Sequence, residues 1–554
     1  MDLCVGDVHE AIAATRPDAE CLVFRDRRLT WAQVTERTRR LANVLVDAGL
    51  GVHTERPALD GPAPGSTSGQ DHLAIYLHNG NEYLECMLGA FKARVAPFNV
   101  NYRYVAEELR YLLTDAGARA VVFHSAFAPT LADVLVDLAG AGREMALLLQ
   151  VPDASGHPLL PGARWYEDAL AAASPERPPV SPSPDDLYIL YTGGTTGMPK
   201  GVLWRQADAL HGCFGCPEGP SAEAIAAEAP GVLRALPAPP FMHGAGHWIA
   251  FRTWCAGGTV FVQSEVERMD PDDVWGTVER ERLDFLLIVG DAFARPLIDA
   301  LDRAVAAGRP YDLSSLRIIL SGGAALNAVH KRAFLAHVPG LLVIDGLGSS
   351  EAGGQMSQMS SGDTASTGTF LATPGNHVLS EALDRELAPG DPELGWLAKS
   401  GRLALGYLGD AAKTARTYPV VDGVRYAVPG DRARLLDGGL IELHGRDSVT
   451  INSGGEKIFA EEVEAALRAH PAVHDCVVAG RPSERWGQEV VAVVALRAGA
   501  DADPAALLAE AERHVARYKL PKAVVFVDTV VRSPSGKADY RWARQVAQDA
   551  REAG

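Results

Sequence analysis

Basic residues are in short supply: 52 lysines and arginines stand against 70 aspartates and glutamates, a formal net charge of −18. That balance removes the general attraction a nucleic acid or anionic membrane partner needs, so any phosphate ligand must be caught by a local cluster. Long apolar runs are missing too. The nearest, DVLVDLAGAGREMALLLQV, is broken by Asp, Arg and Glu, and no window offers the roughly 18 uncharged apolar residues of a membrane-spanning helix. The opening MDLCVGDVHEAIAATRPDAE carries acids where a secretory signal has a basic start and an apolar core. No signal peptide is expected, and the expected compartment is the cytoplasm. Seven cysteines scattered over 554 residues build no disulfide framework. Cys213 and Cys216, in HGCFGCPEG, have metal-like spacing, but no second CxxC or HxxxH follows, which favours plain structural thiols. Two phosphate signatures are also absent. There is no GxGxxG, and the lysine of TGGTTGMPKG, Lys200, is followed by Gly201 rather than the Ser or Thr of a mononucleotide loop.

What is present reads as a globular protein of several domains, 47% hydrophobic and 22% charged. HLAIYL, AVVFHS, ALLLQV, LYILYT, FLLIVG, LRIIL and LLVID are short apolar runs of buried-strand type. Between several of them lie segments with helical spacing, such as VAEELRYLLTDAGA and PTLADVLVDLAGAG. The alternation predicts an α/β fold of doubly wound parallel sheets, with ligands at the carboxyl ends of the strands. The last hundred or so residues mix strands and helices differently and predict a small α+β unit. Two stretches, TERPALDGPAPGSTSGQD (54–71) and the neighbourhood of PEGPSAEAIAAEAPG, read as exposed decoration.

Three segments rich in Gly, Ser and Thr end strands and could share one ligand. YTGGTTGMPKG (191–201) supplies backbone N–H groups, hydroxyls and one ammonium, a cradle for oxyanions. SGGAAL (321–326) and DGLGSSE (345–351) follow LRIIL and LLVI. Lys537, in RSPSGKADYRW, sits among small turn-forming residues and by itself would be an ordinary solvated charge.

Taken in order, YTGGTTGMPKG, PAPPFMHGAGHW, SGGAAL, GLGSSE, GDRARLLDGG, GRDSVTINSGGEKI and SPSGK resemble the motifs of the adenylate-forming superfamily across essentially the whole chain. NVNYRYVAEELRYLL, IVGDAFARPL and the INSGGEK segment look most like its fatty-acid and sterol-acid CoA ligases. The resemblance implies a large N-terminal domain (1–445) of doubly wound sheets with a small β-barrel-like subdomain. A mobile C-terminal domain (446–554) would turn about a hinge near Ser448, where relatives often carry Asp or Lys.

It also implies an AMP-forming acid:CoA ligase using ATP, Mg2+ and CoA on a medium to large hydrophobic acid that is fatty, sterol-like or terpenoid. The alternative is an acyl-AMP ligase that hands its product to a carrier protein or a separate thioesterifying enzyme. On this resemblance Thr192, Gly193, Gly194, Thr195, Thr196 and Lys200 hold the departing phosphates. Glu351 holds magnesium, a cation that favours hard carboxylate oxygen. Gly322, Gly323 and Ala324 lie against adenine, with Asp345, Leu347 and Ser350 on the neighbouring nucleotide wall. Leu347 replaces the aromatic that many relatives stack on the base. Asp431 would accept both ribose hydroxyls and Arg446 would donate to the ribose. Lys537 would serve adenylation, while Gly454, Gly455 and Lys457 would serve thioester formation. His243 would flank the acyl pocket, and the small Gly244, Ala245 and Gly246 beside it predict room for a bulky acid.

Overall fold

The computed structural model describes residues 2–56, 64–194, 197–362, 368–446, 449–453, 456–483, 487–515, 517–533 and 536–552. Apolar runs without polar alternation form strands covered on both faces, as in His72–Tyr76, Leu147–Val151 and Phe285–Ile288, every residue of which is buried. Among the described residues they assemble into two eight-stranded sheets. The first runs Gly353–Ser360, Leu342–Ser349, Ile318–Gly322, Phe285–Ile288, Arg234–Pro237, Thr259–Val262, Glu20–Phe24, Arg27–Thr30. The second runs Gly406–Tyr407, Gly197–Arg205, Leu187–Gly194, Ala96–Asn99, His72–Tyr76, Ala118–His124, Leu147–Val151, Arg164–Trp165. Pairing is parallel in the middle of both sheets; the first is antiparallel at both edges, the second only at the edge that carries Gly406–Tyr407 and Gly197–Arg205, its other edge pairing in parallel.

Helices close the sheet faces. In Trp31–Asp47, Thr30 and Gln33 form a reciprocal capping box, and the helix buries Trp31, Val34, Leu41 and Leu45. Its neighbour Asn81–Lys92 approaches so closely that a Cβ on Gly89 would stand 2.8 Å from Leu41. Among the described residues no helix is long and apolar enough to cross a membrane.

Two smaller sheets follow. Thr369–Leu371, Leu440–Arg446, Asp431–Leu435, Gly395–Lys399 and Asn376–Leu379 form an antiparallel sheet over Phe370, Val378, Leu397 and Ile441. Beyond it, Glu456–Phe459, Thr450–Ser453, Gly487–Leu496 and Val473–Ser483 pair in that order, with Ala523–Phe526 added to Gly487–Leu496. The hydrophobic clusters on this last sheet draw only on residues from Ile451 to Val546.

Three local expectations change. The glycine-rich segment at 191–201, expected as a loop that ends a strand, instead continues the strand into an antiparallel hairpin, with Thr192 opposite Lys200 and Gly194 opposite Gly197. The strand Leu342–Ser349 runs on through Asp345 and Leu347, because its sequel Gly353–Ser360 turns back and pairs with it. Of the presumed decoration, Ser66 and Gln70 are buried, and Gln70 accepts from Leu187 N and donates to Arg94 O. Likewise, helix Ala222–Glu228 buries Ala222, Ile225 and Ala226 in the main core. In the first segment, of which 57–63 lie outside the described residues, the packing is made by polar side chains such as Gln70 with its bonds satisfied, and in the second by alanines and an isoleucine, which composition alone disguises.

Candidate active site

The hairpin carrying Thr192 and Lys200 is fastened at its base by Asn99. This side chain accepts from Tyr191 N at 2.8 Å and donates to Tyr191 O and Met242 O at 2.8 and 2.7 Å. One amide therefore joins the hairpin to the segment PAPPFMHG. Asn79 holds that same segment at two further points, donating to Pro239 O and accepting from Phe241 N. Lys200 Nζ lies 3.8 Å from Asp410 Oδ2.

Directly after these anchored residues, His243 occupies the N-cap position of the helix Gly244–Cys255, without a side-chain capping bond. Its Nε2 is buried without a hydrogen-bond partner among the described residues. Burial, aided by the charges of Lys537 and Arg103 and by His247, pushes the imidazole down to about 3, so it is neutral at physiological pH. The expectation of room at Gly244 and Gly246 is not met. A Cβ on Gly246 would stand 2.9 Å from the carbonyl oxygens of both Pro239 and Pro240, and one on Gly244 would meet Leu190 and Trp248 at 3.1 Å. At Gly246 the helix start presses on its own approach segment, while at Gly244 Leu190 and Trp248 fill the space.

Across the first sheet, Gly322 pairs in register with Gly346 and Ser321 with Asp345. Gly323 follows with φ +86°, and a Cβ there would stand 3.9 Å from Lys537 Cε. The lysine of the C-terminal unit thus reaches the Gly322–Ala324 segment. The Asp345 carboxylate is turned to internal use. It is buried, pairs with Lys331 Nζ at 3.2 Å, and is pushed up to about 6 by burial against the opposing pull of that lysine. Leu347 packs beside Met356 and Phe370.

Glu351 follows in the turn between Leu342–Ser349 and Gly353–Ser360. Its Oε1 accepts from Tyr407 Oη at 2.7 Å and its main-chain oxygen from Tyr418 Oη at 3.3 Å, while Trp204 Nε1 donates to Ser350 O. Tyr407 belongs to the edge strand that pairs with Val202 beside Lys200, so it links Glu351 to the hairpin. Among the described residues no three His, Cys, Asp or Glu side chains gather into a metal cage. A single carboxylate suits Mg2+, which is commonly held by one or two protein carboxylates together with substrate phosphate oxygens. Asp431, buried, stands directly opposite Arg446 across two antiparallel strands.

Thr195, Thr196, Gly454, Gly455 and the hinge position Ser448 lie outside the described residues. Gly193, Gly194 and Lys457 are placed by their backbone alone, in the strands Leu187–Gly194 and Glu456–Phe459. Cys213 and Cys216 are buried and unpaired.

Asp291 is a residue that motif reading passed over inside IVGDAFARPL. It accepts from Asn327 N and Nδ2 and pairs with His330 Nδ1 at 2.7 Å, while its own N–H donates to Ala325 O. Together with Gly290, whose φ is +50° and whose N–H donates to Ser321 Oγ, it pins the Gly322–Ala324 segment from beneath. The sequence signal was available: an acid directly after a glycine at a strand end.

The comparisons with known proteins agree with this geometry. The family described as AMP-binding enzyme matches residues 65–408, and the AMP-binding enzyme C-terminal domain matches 462–537. The medium-chain acyl-CoA ligase Mig of Mycobacterium avium is 53% identical over 98% of both chains. The 3-oxocholest-4-en-26-oate–CoA ligase of Rhodococcus rhodochrous is 37% identical over 98% of this chain and 96% of its own. Among solved structures, ATP-bound MatB from Rhodopseudomonas palustris superposes with a TM-score of 0.80 at 24% identity, covering 99% of this chain and all of that one. That likeness speaks for the fold.

Proposed function

From the premise that the chain belongs to the AMP-binding enzyme family, we propose that it is an ATP-dependent acid:CoA ligase for medium to large hydrophobic acids. The observation that carries the reading is the approach of Lys537 to the Gly322–Ala324 segment, with its charge also bearing on the buried His243, whose Nε2 has no partner among the described residues. The substrate class rests on the relatives named for medium-chain and steroid acids, and no longer on the glycines beside His243.

In the first half-reaction a carboxylate oxygen attacks the α-phosphorus of ATP and the bond to the β-phosphate oxygen breaks, giving acyl-AMP and pyrophosphate. Negative charge builds around phosphorus, and fixed donors stabilise it without reorganising. Thr192 and the hairpin backbone with Lys200 face the departing phosphates. Lys537 orients the attacking carboxylate and offsets charge at the α-phosphate. Glu351, aligned by Tyr407, is the residue that would hold Mg2+, whose chemistry there would be to neutralise phosphate charge. Asp431 and Arg446 bind the ribose, and Gly322 to Ala324 line the adenine with Leu347 as an apolar neighbour. Asp345 supports that wall from inside through Lys331. His243, neutral, can accept or donate one hydrogen bond at the acyl carboxylate without adding charge.

In the second half-reaction the thiol of CoA, losing its proton, attacks the acyl carbonyl carbon and AMP leaves. The unit from 446 onward turns about Ser448 to bring Gly454, Gly455 and Lys457 to the site. The compartment is the cytoplasm. The test is a graded acid panel with ATP, Mg2+ and CoA, scored by mass spectrometry. Acids of about ten carbons or more should turn over far better than acetate, since each buried CH2 adds about 0.8 kcal/mol. Preference for acetate or an amino acid would contradict the substrate class, and acyl-AMP without acyl-CoA would point to a carrier-protein acceptor instead.

A further inference from the structure

The lysine at 537 stands at the end of a short loop, and a loop of small residues does not by itself hold an ammonium to within an ångström of a reacting group. The structure shows what holds this one. Arg532 opens the loop and bridges to Ala538, which closes it. Within it Ser533 N donates to Lys537 O at 2.8 Å, Gly536 N to Ser533 O at 2.8 Å, and Lys537 N to Ser533 Oγ at 3.1 Å. Arg532 Nη1 donates to Gly536 O at 3.1 Å.

The other face of the guanidinium is fixed to the body of the C-terminal unit. Its Nε and Nη2 meet the two oxygens of Asp475 at 2.7 Å each, a bidentate pair on the strand Val473–Ser483. Arg468 Nε lies 3.8 Å from the same carboxylate, and its Nη2 is anchored to Glu464 Oε2 and Cys476 O. Such planar, charge-assisted pairs are strong and directional. Gly536, with φ +75°, presses the loop onto the N-terminal part of the chain, where a Cβ would stand 3.0 Å from Ala292 Cβ. Arg532 and Asp475 also line a cleft of about 230 Å3, whose opposite wall is Asp291, Ala292, Arg295 and Asp299.

We propose that Arg532, clamped by Asp475, is the positioning residue for Lys537: it fixes the carbonyl of Gly536 and so sets where the ammonium stands during adenylation. Its guanidinium bonds go to Asp475 and to Gly536 O, and it acts only through the lysine. This rests on the adenylation role proposed for Lys537. The clamp is not required once the loop has withdrawn, so the two half-reactions separate its effect from a general loss of structure.

The experiment uses the full chain with Arg532→Gln, Arg532→Lys, Asp475→Asn, Lys537→Ala and the Arg532→Gln/Lys537→Ala double variant. Pyrophosphate exchange reads adenylation, thioester formation from prepared acyl-AMP reads the second step, and thermal melting reads folding. Arg532→Gln should cut adenylation by about 10- to 100-fold, the range expected when a catalytic group is misplaced by about an ångström. Thioester formation should stay near the unmodified rate. Arg532→Lys should recover part of the loss. On the background of Lys537→Ala, Arg532→Gln should add almost nothing, because residues acting as one unit are not additive. If Arg532→Gln does not fold, Asp475→Asn, which keeps shape while weakening the clamp, carries the same prediction. Equal loss in both half-reactions, or a full additive loss in the double variant, overturns the proposal. Normal adenylation by Arg532→Gln alongside crippled Lys537→Ala overturns the clamp alone, whereas normal adenylation by Lys537→Ala removes the lysine's role and the clamp with it.

Discussion

A methyl group added at Gly246 has no space, since two backbone carbonyls stand 2.9 Å from where it would sit. Backbone cannot swing aside as a side chain can, so Gly246→Ala should cost about 1–3 kcal/mol, read as a lower urea midpoint with unchanged slope. Had the glycine lined an open pocket, the substitution would leave stability alone and trim the preferred acid. Glu351→Gln keeps a partner for Tyr407 while removing the anionic oxygen. It should shift the Mg2+ dependence of pyrophosphate exchange to higher concentration with little change in melting, and an unaltered Mg2+ titration would reassign the residue to structure. At this scale the chemistry-bearing residue types were legible, because lysine, glutamate and histidine in motif order have few other uses. What close packing did with the glycines was not, since sequence shows that a side chain is small without showing what presses on it.

Elements tie these residues together through a few buried amides and acids. Asn99 satisfies three backbone groups on two segments, and Asn99→Leu leaves them unpaired in a dry interior. The expected loss is about 1–3 kcal/mol at least, with adenylation falling as well because Thr192 and His243 both lean on that joint. Retained stability with retained activity would show that the hairpin is held elsewhere. The parallel strands were readable from runs such as FLLI and HLAIY, whose lack of polar alternation marks burial on both faces. The antiparallel return of Gly353–Ser360 was not, because GGQMSQMS carries a weak strand pattern and owes its pairing to the neighbour Leu342–Ser349. The same holds for Asp291: its three side-chain contacts come from Asn327 and His330, 36 and 39 positions away, beyond the reach of local pattern.

Across the described residues, burial holds His9, His72, His78, His124, His243, His247 and His474 below the ordinary imidazole value of 6.5, with His124 and His247 at about 4 and His243 at about 3. An imidazole depressed in the folded state is protonated first in the unfolded chain, so its stabilising effect is complete above 6.5 and is lost as the pH falls toward the folded value. Five carboxyls raised by burial act in the opposite sense, Glu82 at about 7, Asp345 at about 6, and Asp186, Asp284 and Glu464, but seven imidazoles outnumber them. The melting temperature should therefore drop between pH 6.5 and about 4.5, and a flat or rising profile would show that these histidines are not buried neutral. The central claim is that one chain performs adenylation by bringing Lys537 of its C-terminal unit onto the Gly322–Ala324 segment. Its most direct test is Lys537→Ala assayed in both half-reactions on one preparation. Acyl-adenylate formation should fall by about 10²- to 10³-fold, as for loss of one preorganised donor, while thioester formation from prepared acyl-AMP and the melting temperature stay near those of the unmodified protein. Near-normal adenylation would contradict the account.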